Sequence, residues 1–438
     1  MKILLTAALC AAALALSGCP IAGGAKYTVG GTVTGLSGSG LVLQLNGGDS
    51  LSFNGSGTFV FGTRLDNSAA FSVTVMTQPS NPAQTCTVRN GSGTIDKTSI
   101  TNVIVACTQT GRFAYVANRQ SNSISGFAID PGSGALTPLS GSPFASNGTT
   151  PTALTVDPNG QFLYVANSGS NSVSAYSIGA TGTLTAVGSP SAAGTGPGAV
   201  TVDPTDHFLY VANLTSNNVS AFAISAGTLT PVVDSPFNAG AEPASLAVDP
   251  NGNFLYATNF NGNTVSVFLI DPASGMLSAI SGSPFATGAG PVSIAIDPTD
   301  AFAFVANNSD QTIASYALNA TTGALTPSGS PLAAGTNAEA LTVDPTGGYV
   351  FAANAGAPNQ VATFAITPAG GALTVSSTTA AGSLPTAVVI DPSGQFLYAV
   401  NFNSNNVSAY TLSAAGALTA VAGSPFAVGA QPHAIAID

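Results

Sequence analysis

The sequence predicts an all-β protein in which a small antiparallel β-sandwich precedes a seven-bladed β-propeller. A motif recurs seven times after residue 110, with a period in the forties. The residues before it contain short strand patterns and no helical period. Glycine and proline together number 78, yet 45% of the chain is hydrophobic, which favours a packed fold over a low-complexity segment.

The first 25 residues have the pattern of an export signal. Lys2 is their only charge, and the apolar run Ile3–Leu16 is too short to span a bilayer stably. This run ends in Leu16-Ser17-Gly18-Cys19, which resembles the lipobox of bacterial lipoproteins. The resemblance implies a signal peptide over 1–18, a lipid on Cys19 and a linker over 19–25. Because Pro20 follows the cysteine instead of Asp, it also implies the outer membrane, with the side of that membrane left open. An ordinary signal peptide cut near Gly18 is the alternative.

Residues 26–110 are predicted to form the sandwich, because short strand-like runs alternate there with Gly, Asn, Ser and Asp. The predicted strands are Tyr27–Val33, Gly40–Leu45, Ser50–Phe53, Gly57–Phe61, Ala70–Met76, Thr85–Val88 and Asn102–Ala106. We interpret this domain as a spacer that lifts the next one off the membrane.

Two cysteines remain for this domain once Cys10 is removed with the signal and Cys19 carries lipid. Cys86 and Cys107 both lie in predicted strands, so an exported chain is expected to join them in a disulfide. A metal site is less favoured, because the region contains no histidine.

Residues 111–438 carry the repeat, an aromatic-aliphatic run that ends in Asn. The runs are Phe113–Asn118, Phe162–Asn167, Phe208–Asn213, Phe254–Asn259, Phe302–Asn307, Tyr349–Asn354 and Phe396–Asn401, with asparagines 49, 46, 46, 48, 47 and 47 residues apart. An Asp-Pro turn precedes all but the first. Four strand signals per unit at this period predict seven propeller blades.

The phase of the repeat predicts a closed ring. It begins at a second strand (Phe113) and ends at a first strand (His433–Ile437), so one C-terminal strand would complete the three N-terminal ones. An open solenoid would instead need capping repeats at both ends.

The run Phe162-Leu163-Tyr164-Val165-Ala166-Asn167 after Asp157-Pro158-Asn159-Gly160 resembles the YVTN-type repeat of bacterial surface propellers. It is also similar to the lactonase-family propellers, which include 6-phosphogluconolactonase. In those relatives a Pro-His pair at the start of an inner strand often supplies the active-site histidine, and Pro432-His433 matches it. The resemblance covers 111–438 and implies the fold more specifically than the activity.

Charge excludes several functions for the propeller. It has two arginines, no lysine, thirteen Asp and two Glu, so it should repel nucleic acid, and we expect membrane contact only through the N-terminal lipid. The chain has no tryptophan, which disfavours a quinone-dependent propeller. Its two histidines are too few for a copper-cluster propeller. We therefore expect no cofactor and no metal.

A candidate active site is expected at one mouth of the central channel. Ring closure places His433 in the same blade as Arg119, and Glu242 and Glu339 lie in loops at that mouth. These groups could polarise a lactone carbonyl and activate water. However, the stretches after two of the second strands, Asn167–Ser172 and Asn213–Asn218, contain only neutral turn formers, and the units vary by only three residues.

The sequence alone therefore favours a lipid-anchored, monomeric binding or scaffolding module of the cell envelope. Its partner would be a protein or small molecule bound at the propeller face. A lactonase-type hydrolase acting at the channel mouth is the alternative function.

Overall fold

The computed structural model describes residues 25–36, 39–79, 84–109, 112–368 and 370–438. All regular elements in these ranges are β-strands. The described residues contain no helix with the length and apolar content needed to cross a bilayer. The predicted signal peptide and Cys19 lie outside the described residues. The chain divides into two compact units, with the boundary between Thr108 and Gln109.

The first unit is a sandwich of two four-stranded sheets, ordered β5-β2-β10-β8 and β4-β3-β7-β9, with a small pair β1-β6. The strands are β1 (Lys26–Tyr27), β2 (Val29–Thr34), β3 (Leu41–Leu45), β4 (Asp49–Phe53), β5 (Gly57–Val60), β6 (Leu65–Asp66), β7 (Ala70–Thr77), β8 (Gln84–Arg89), β9 (Ser92–Thr94) and β10 (Ile100–Gln109). Alternate residues of β3 and β7 are buried, because one face of each sheet covers a shared core.

The predicted disulfide is present between Cys86 and Cys107, which joins the neighbouring strands β8 and β10. One pairing differs from the antiparallel prediction. β10 runs parallel to β2, with Val105 opposite Val33, so the first and last long strands of the unit lie side by side. Alternation within a strand does not encode the direction of its neighbour, and the sequence therefore gave no indication of this pair.

The second unit consists of seven separate sheets, one per blade. Their strands are β11 (Arg112–Asn118), β12 (Ser123–Ile129), β13 (Leu136–Pro138) and β14 (Phe144–Ala145) in blade 1; β15 (Pro151–Val156), β16 (Phe162–Asn167), β17 (Ser172–Ile178), β18 (Leu184–Ala186) and β19 (Ser191–Ala192) in blade 2; β20 (Pro197–Val202), β21 (Phe208–Asn213), β22 (Asn218–Ser225), β23 (Thr228–Pro231) and β24 (Phe237–Asn238) in blade 3; β25 (Pro243–Val248), β26 (Phe254–Asn259), β27 (Thr264–Ile270), β28 (Leu277–Ala279) and β29 (Phe285–Ala286) in blade 4; β30 (Pro291–Ile296), β31 (Phe302–Asn307), β32 (Thr312–Leu318), β33 (Leu325–Pro327) and β34 (Leu332–Ala333) in blade 5; β35 (Ala338–Val343), β36 (Tyr349–Asn354), β37 (Gln360–Ile366) and β38 (Leu373–Ala380) in blade 6; and β39 (Pro385–Ile390), β40 (Phe396–Asn401), β41 (Asn406–Leu412), β42 (Leu418–Ala420) and β43 (Phe426–Ala427) in blade 7.

Each blade is an antiparallel meander of four strands, as the repeat predicts. In six blades the chain adds a short fifth strand that pairs with the third strand, as β19 does with β17. The second strands are apolar on both faces because they are enclosed by neighbouring blades. All six residues of β21, for example, are buried, and Tyr210 packs in one core cluster with Leu255 and Ala257 of blade 4.

The ring closes as predicted. The last strand, β44 (Pro432–Ile437), pairs antiparallel with β11 and becomes the inner strand of blade 1. At this seam Asp438 Oδ1 also accepts the Phe113 N–H at 2.5 Å. Between blades 7 and 1, the Tyr398 hydroxyl donates to the Gly134 carbonyl at 2.9 Å. Blade 1 thereby has the same four-strand order as its neighbours.

The Asp-Pro turns are held by their own carboxylates. In blade 3, Asp203 Oδ1 accepts the N–H groups of His207 and Phe208 at 2.8 and 2.6 Å. Asp438 holds the equivalent position in blade 1 through its bond to Phe113. These carboxylates therefore act locally, at the turn between first and second strands.

The asparagine that ends each second strand is also structural. Each of these seven side chains is fully buried. In blade 3, Asn213 Nδ2 donates to Ser220 Oγ at 2.9 Å, and a Cβ at Gly194 of the preceding connection would lie 2.6 Å from the Asn213 amide. The asparagine thus fixes the connection that leads into the inner strand of its own blade.

Candidate functional site

The inner strand of every blade contains a β-bulge near its start. In β15, Pro151 is opposite Asn167 and Ala153 is opposite the adjacent Ala166, so Thr152 is an extra residue with no partner in the ladder. The same slip of one residue occurs in all seven blades. The extra residues are Thr152, Gly198, Ala244, Val292, Glu339, Thr386 and His433. Bulges of this kind redirect a side chain out of the regular pleat.

These seven residues line one cavity of about 400 Å³ at the channel mouth. The inner strands neighbour one another around the ring, so each blade contributes its bulge residue to the same space. The remaining lining comes from adjacent loops: Arg119, Ser168, Gly196, Pro197, Leu214 and Thr215. The volume lies within the range of small-molecule sites.

His433 has a defined tautomer. Its Nδ1 lies 2.8 Å from the Thr152 carbonyl oxygen, and because a carbonyl oxygen only accepts, Nδ1 carries the proton. The basic nitrogen of the neutral ring is therefore Nε2. The Phe402 ring packs against the imidazole in a T-shaped arrangement, with ring centroids 6.3 Å apart.

The charge state of His433 follows from its surroundings. Burial lowers the pKa of His433 below its ordinary value, and the positive charge of Arg119 adds to this effect, while the bond to the Thr152 carbonyl opposes it. The imidazole is therefore neutral at neutral pH, the state in which Nε2 can accept a proton.

Arg119 follows the buried Asn118 directly and lines the same cavity as His433. Its backbone N–H donates to the Gln431 carbonyl at 2.9 Å, which ties the loop after β11 to the residues just before β44. Ring closure thus places Arg119 and His433 in the lining of one cavity.

Glu339 also lines the cavity, two blades from His433, with Thr386 in the blade between them. Its Oε1 accepts from Asn308 Nδ2 at 3.2 Å. Burial raises the pKa of Glu339 above its ordinary value, and the bond from Asn308 opposes this shift. The cavity therefore holds a neutral base, a cation and a carboxyl group.

Glu242 does not belong to this lining. It precedes Pro243 in a left-handed backbone conformation, φ 56°, and its N–H donates to Asn217 Oδ1 at 2.8 Å. Gly196 and Gln431 occupy equivalent positions, also with positive φ and an N–H bonded to an asparagine of the preceding blade. Glu242 is thus part of the connection between blades 3 and 4.

Sequence reasoning missed Thr152 and Thr386, which stand beside His433 in the lining. A signal was available, because a proline directly precedes the bulge residue in six of the seven inner strands. Aligning the seven repeats on that proline would have identified the lining positions. Among the residues that the structure describes, no group of three or more His, Cys, Asp or Glu side chains is arranged to hold a metal ion.

Comparison with protein families gives one match, which covers most of the second unit. Residues 105–237, 228–338 and 330–432 match the family described as lactonase, 7-bladed beta-propeller. A comparison with curated protein sequences found no match.

Solved structures of similar fold cover 75% of this chain. One is a periplasmic gluconolactonase of Pseudomonas aeruginosa, with 22% identity, 99% of that chain covered and a TM-score of 0.66. Another is a protein of Lactobacillus plantarum, with 22% identity, 99% of that chain covered and a TM-score of 0.64. A candidate 6-phosphogluconolactonase of Bacteroides uniformis is similar at 21% identity, over 100% of its length, with a TM-score of 0.67. At this identity the likeness shows the fold alone.

Proposed function

The chain belongs to the lactonase family of seven-bladed β-propellers, and on this basis we propose that it hydrolyses a small lactone at the channel mouth. The observation that carries the proposal is the state of His433. It offers an unprotonated Nε2 in a cavity that also contains the Arg119 guanidinium. A base beside a cation is what ester hydrolysis by water requires.

The proposed reaction adds one water molecule to the lactone. His433 Nε2 takes a proton from water as its oxygen bonds to the lactone carbonyl carbon, and Arg119 stabilises the negative oxygen that develops. The tetrahedral adduct then breaks the ring C–O bond. The imidazolium returns its proton to the departing alkoxide, and the product is a hydroxy acid.

A binding or scaffolding module is the function that the sequence alone favoured, since the mouth loops carry no long insertion. The bulges weaken that argument, because they place seven residues, six of them with a side chain, in the cavity lining without added loop length. Family membership likewise supports the hydrolase more than the scaffold.

A phosphorylated substrate is disfavoured by the charges of the propeller. Arg112 forms an ion pair with the buried Asp391, which leaves Arg119 as the cation at the mouth. Glu339 lines the same cavity and would oppose a dianionic phosphate. We therefore propose an unphosphorylated lactone.

Lactone turnover by the purified full chain tests this proposal. His433→Ala and Arg119→Ala should each lower kcat/KM by roughly 100-fold or more, the scale of lost acid-base or oxyanion stabilisation. Glu242→Gln is the matched control, because it removes a carboxylate near the mouth but outside the lining, and its turnover should equal that of the wild type.

The pH profile adds a second readout. Because burial lowers the pKa of His433, activity should rise with pH through that lowered pKa and be complete by neutral pH. Absence of turnover across a panel of γ- and δ-lactones, or full activity in His433→Ala, would contradict the proposal.

A further inference from the structure

The cavity at the mouth has two chemically different halves. Going around the ring, blades 6, 7, 1 and 2 contribute polar bulge residues: Glu339, Thr386, His433 and Thr152. Blades 3, 4 and 5 contribute Gly198, Ala244 and Val292, which carry no polar side-chain atom. Since the inner strands of blades 3, 4 and 5 are neighbours, these three residues form one continuous wall.

A second layer of side chains extends the apolar half. Leu214 of blade 3 lines the cavity and lies directly over Gly198, where an added Cβ would stand 1.9 Å from Leu214 Cδ1. Phe260, the equivalent residue of blade 4, lies against Gly290 just before the inner strand of blade 5, with Cε2 3.2 Å from an added Cβ. In blades 1 and 2 this position holds Arg119 and Ser168. Blades 5, 6 and 7 hold Asn308, Ala355 and Phe402 there, so the second layer extends the apolar half at blades 3 and 4 but does not divide as the bulge residues do.

The Asp310 side chain, in the loop after β31 of blade 5, has another partner. Asp310 Oδ2 accepts the Ala289 N–H at 2.6 Å and is not part of the cavity lining. Glu242, at the edge of blade 4, is outside the lining as well. On this side of the mouth the side chains that line the cavity are therefore apolar, except for that of Thr215.

We propose that the substrate is an uncharged lactone that carries an aliphatic substituent. The ring carbonyl would face His433 and Arg119, and the substituent would lie along Gly198, Leu214 and Val292. This inference rests on the proposed function and narrows its substrate class. A sugar lactone fits less well, because its ring hydroxyls would meet the apolar wall without hydrogen-bond partners.

Turnover of matched lactones by the full chain tests the substituent. The substrates are δ-decalactone, which carries a pentyl chain, unsubstituted δ-valerolactone and glucono-δ-lactone. Each fully buried methylene multiplies affinity by roughly four, so a partly buried pentyl chain should raise kcat/KM at least about ten-fold over δ-valerolactone. A kcat/KM for glucono-δ-lactone that equals or exceeds the kcat/KM for δ-decalactone would overturn the inference.

Variants of the apolar wall should remove the preference selectively. Leu214→Ser and Val292→Ser should each lower kcat/KM for δ-decalactone by roughly three-fold or more, with a smaller change for δ-valerolactone. Val233→Ser is the matched control, since Val233 is 71% exposed and outside the cavity lining, and it should leave both rates unchanged. Equal losses for the two lactones would also overturn the inference.

A binding measurement separates this inference from the proposed function. The ring amide of a δ-lactam resists hydrolysis, and calorimetry can compare a pentyl-substituted δ-lactam with the unsubstituted ring. Tighter binding of the substituted lactam, together with its loss in Leu214→Ser, supports the proposed ligand class. If no lactone is turned over in that case, only the proposed function fails. Equal binding of the two lactams refutes the ligand class whatever the turnover.

Discussion

Two identical strands in neighbouring blades offer a sharp test of how the blades are held together. β16 and β21 both have the sequence FLYVAN, and Tyr164 and Tyr210 are both fully buried. The Tyr210 hydroxyl donates to the Gly275 carbonyl of blade 4 at 3.1 Å. Within the described residues, the Tyr164 hydroxyl has no hydrogen-bond partner.

The difference comes from the hairpin that each tyrosine faces. In blade 3 Ser225 pairs with Thr228, so only Ala226 and Gly227 form the loop. The loop of blade 4 extends from the end of β27 at Ile270 to Leu277, and Gly275 lies within it. The shorter hairpin leaves Tyr164 without the acceptor that Tyr210 has.

The two phenylalanine variants should therefore differ in their effect on stability. Tyr210→Phe should lower the free energy of unfolding by about 1 kcal/mol, the net contribution of a hydrogen bond, while Tyr164→Phe should be neutral or raise it by up to about 1 kcal/mol. Urea unfolding of the full chain, followed by circular dichroism, should show midpoints that differ by a few tenths molar, roughly 0.3 M or more. An equal loss in both variants would refute this account of the blade interface.

Two further predictions concern acid-base balance and the N-terminus. Burial, with a contribution from the charge of Asp206, raises the pKa of Asp157 to about 7, and burial raises that of Asp438 to about 7. The native state thus binds protons that the unfolded chain has released, so the melting temperature should fall as the pH rises from about 5 to about 8. This fall should be less steep in Asp157→Asn. An unchanged slope in that variant would contradict the prediction. We also propose that the chain is exported and carries a lipid on Cys19. The Cys19→Ala variant should lose metabolic labelling with palmitate and accumulate as uncleaved precursor. Unchanged labelling would exclude this anchor.

The architecture was predictable because its evidence is periodic. Seven asparagines at nearly constant spacing, and the phase from Phe113 to the last strand, specified the blade number and the closure. That closure was enough to place His433 beside Arg119, although 314 residues separate them in the sequence.

The detailed site was less predictable, because it depends on register. A bulge is a slip of one residue, and the proline before it marks the position only once the seven repeats are aligned, so Thr152 and Thr386 were not recognised as neighbours of His433. Glu242 was predicted at the site from its position in a mouth loop. Its left-handed backbone, φ 56°, and its bond to Asn217 instead make it part of a connection between blades. The parallel pair β2-β10 was missed for a similar reason, since strand patterns specify faces and not neighbours.

The bulges have a consequence for divergence within the family. A bulge residue stands outside the ladder, so its side chain can change while the strand pairs of the blade remain intact. Gly198 and Glu339 occupy the same position in their blades yet differ in size and charge. Specificity in such rings can therefore evolve by single substitutions at these positions, without insertions and without a change in strand pairing.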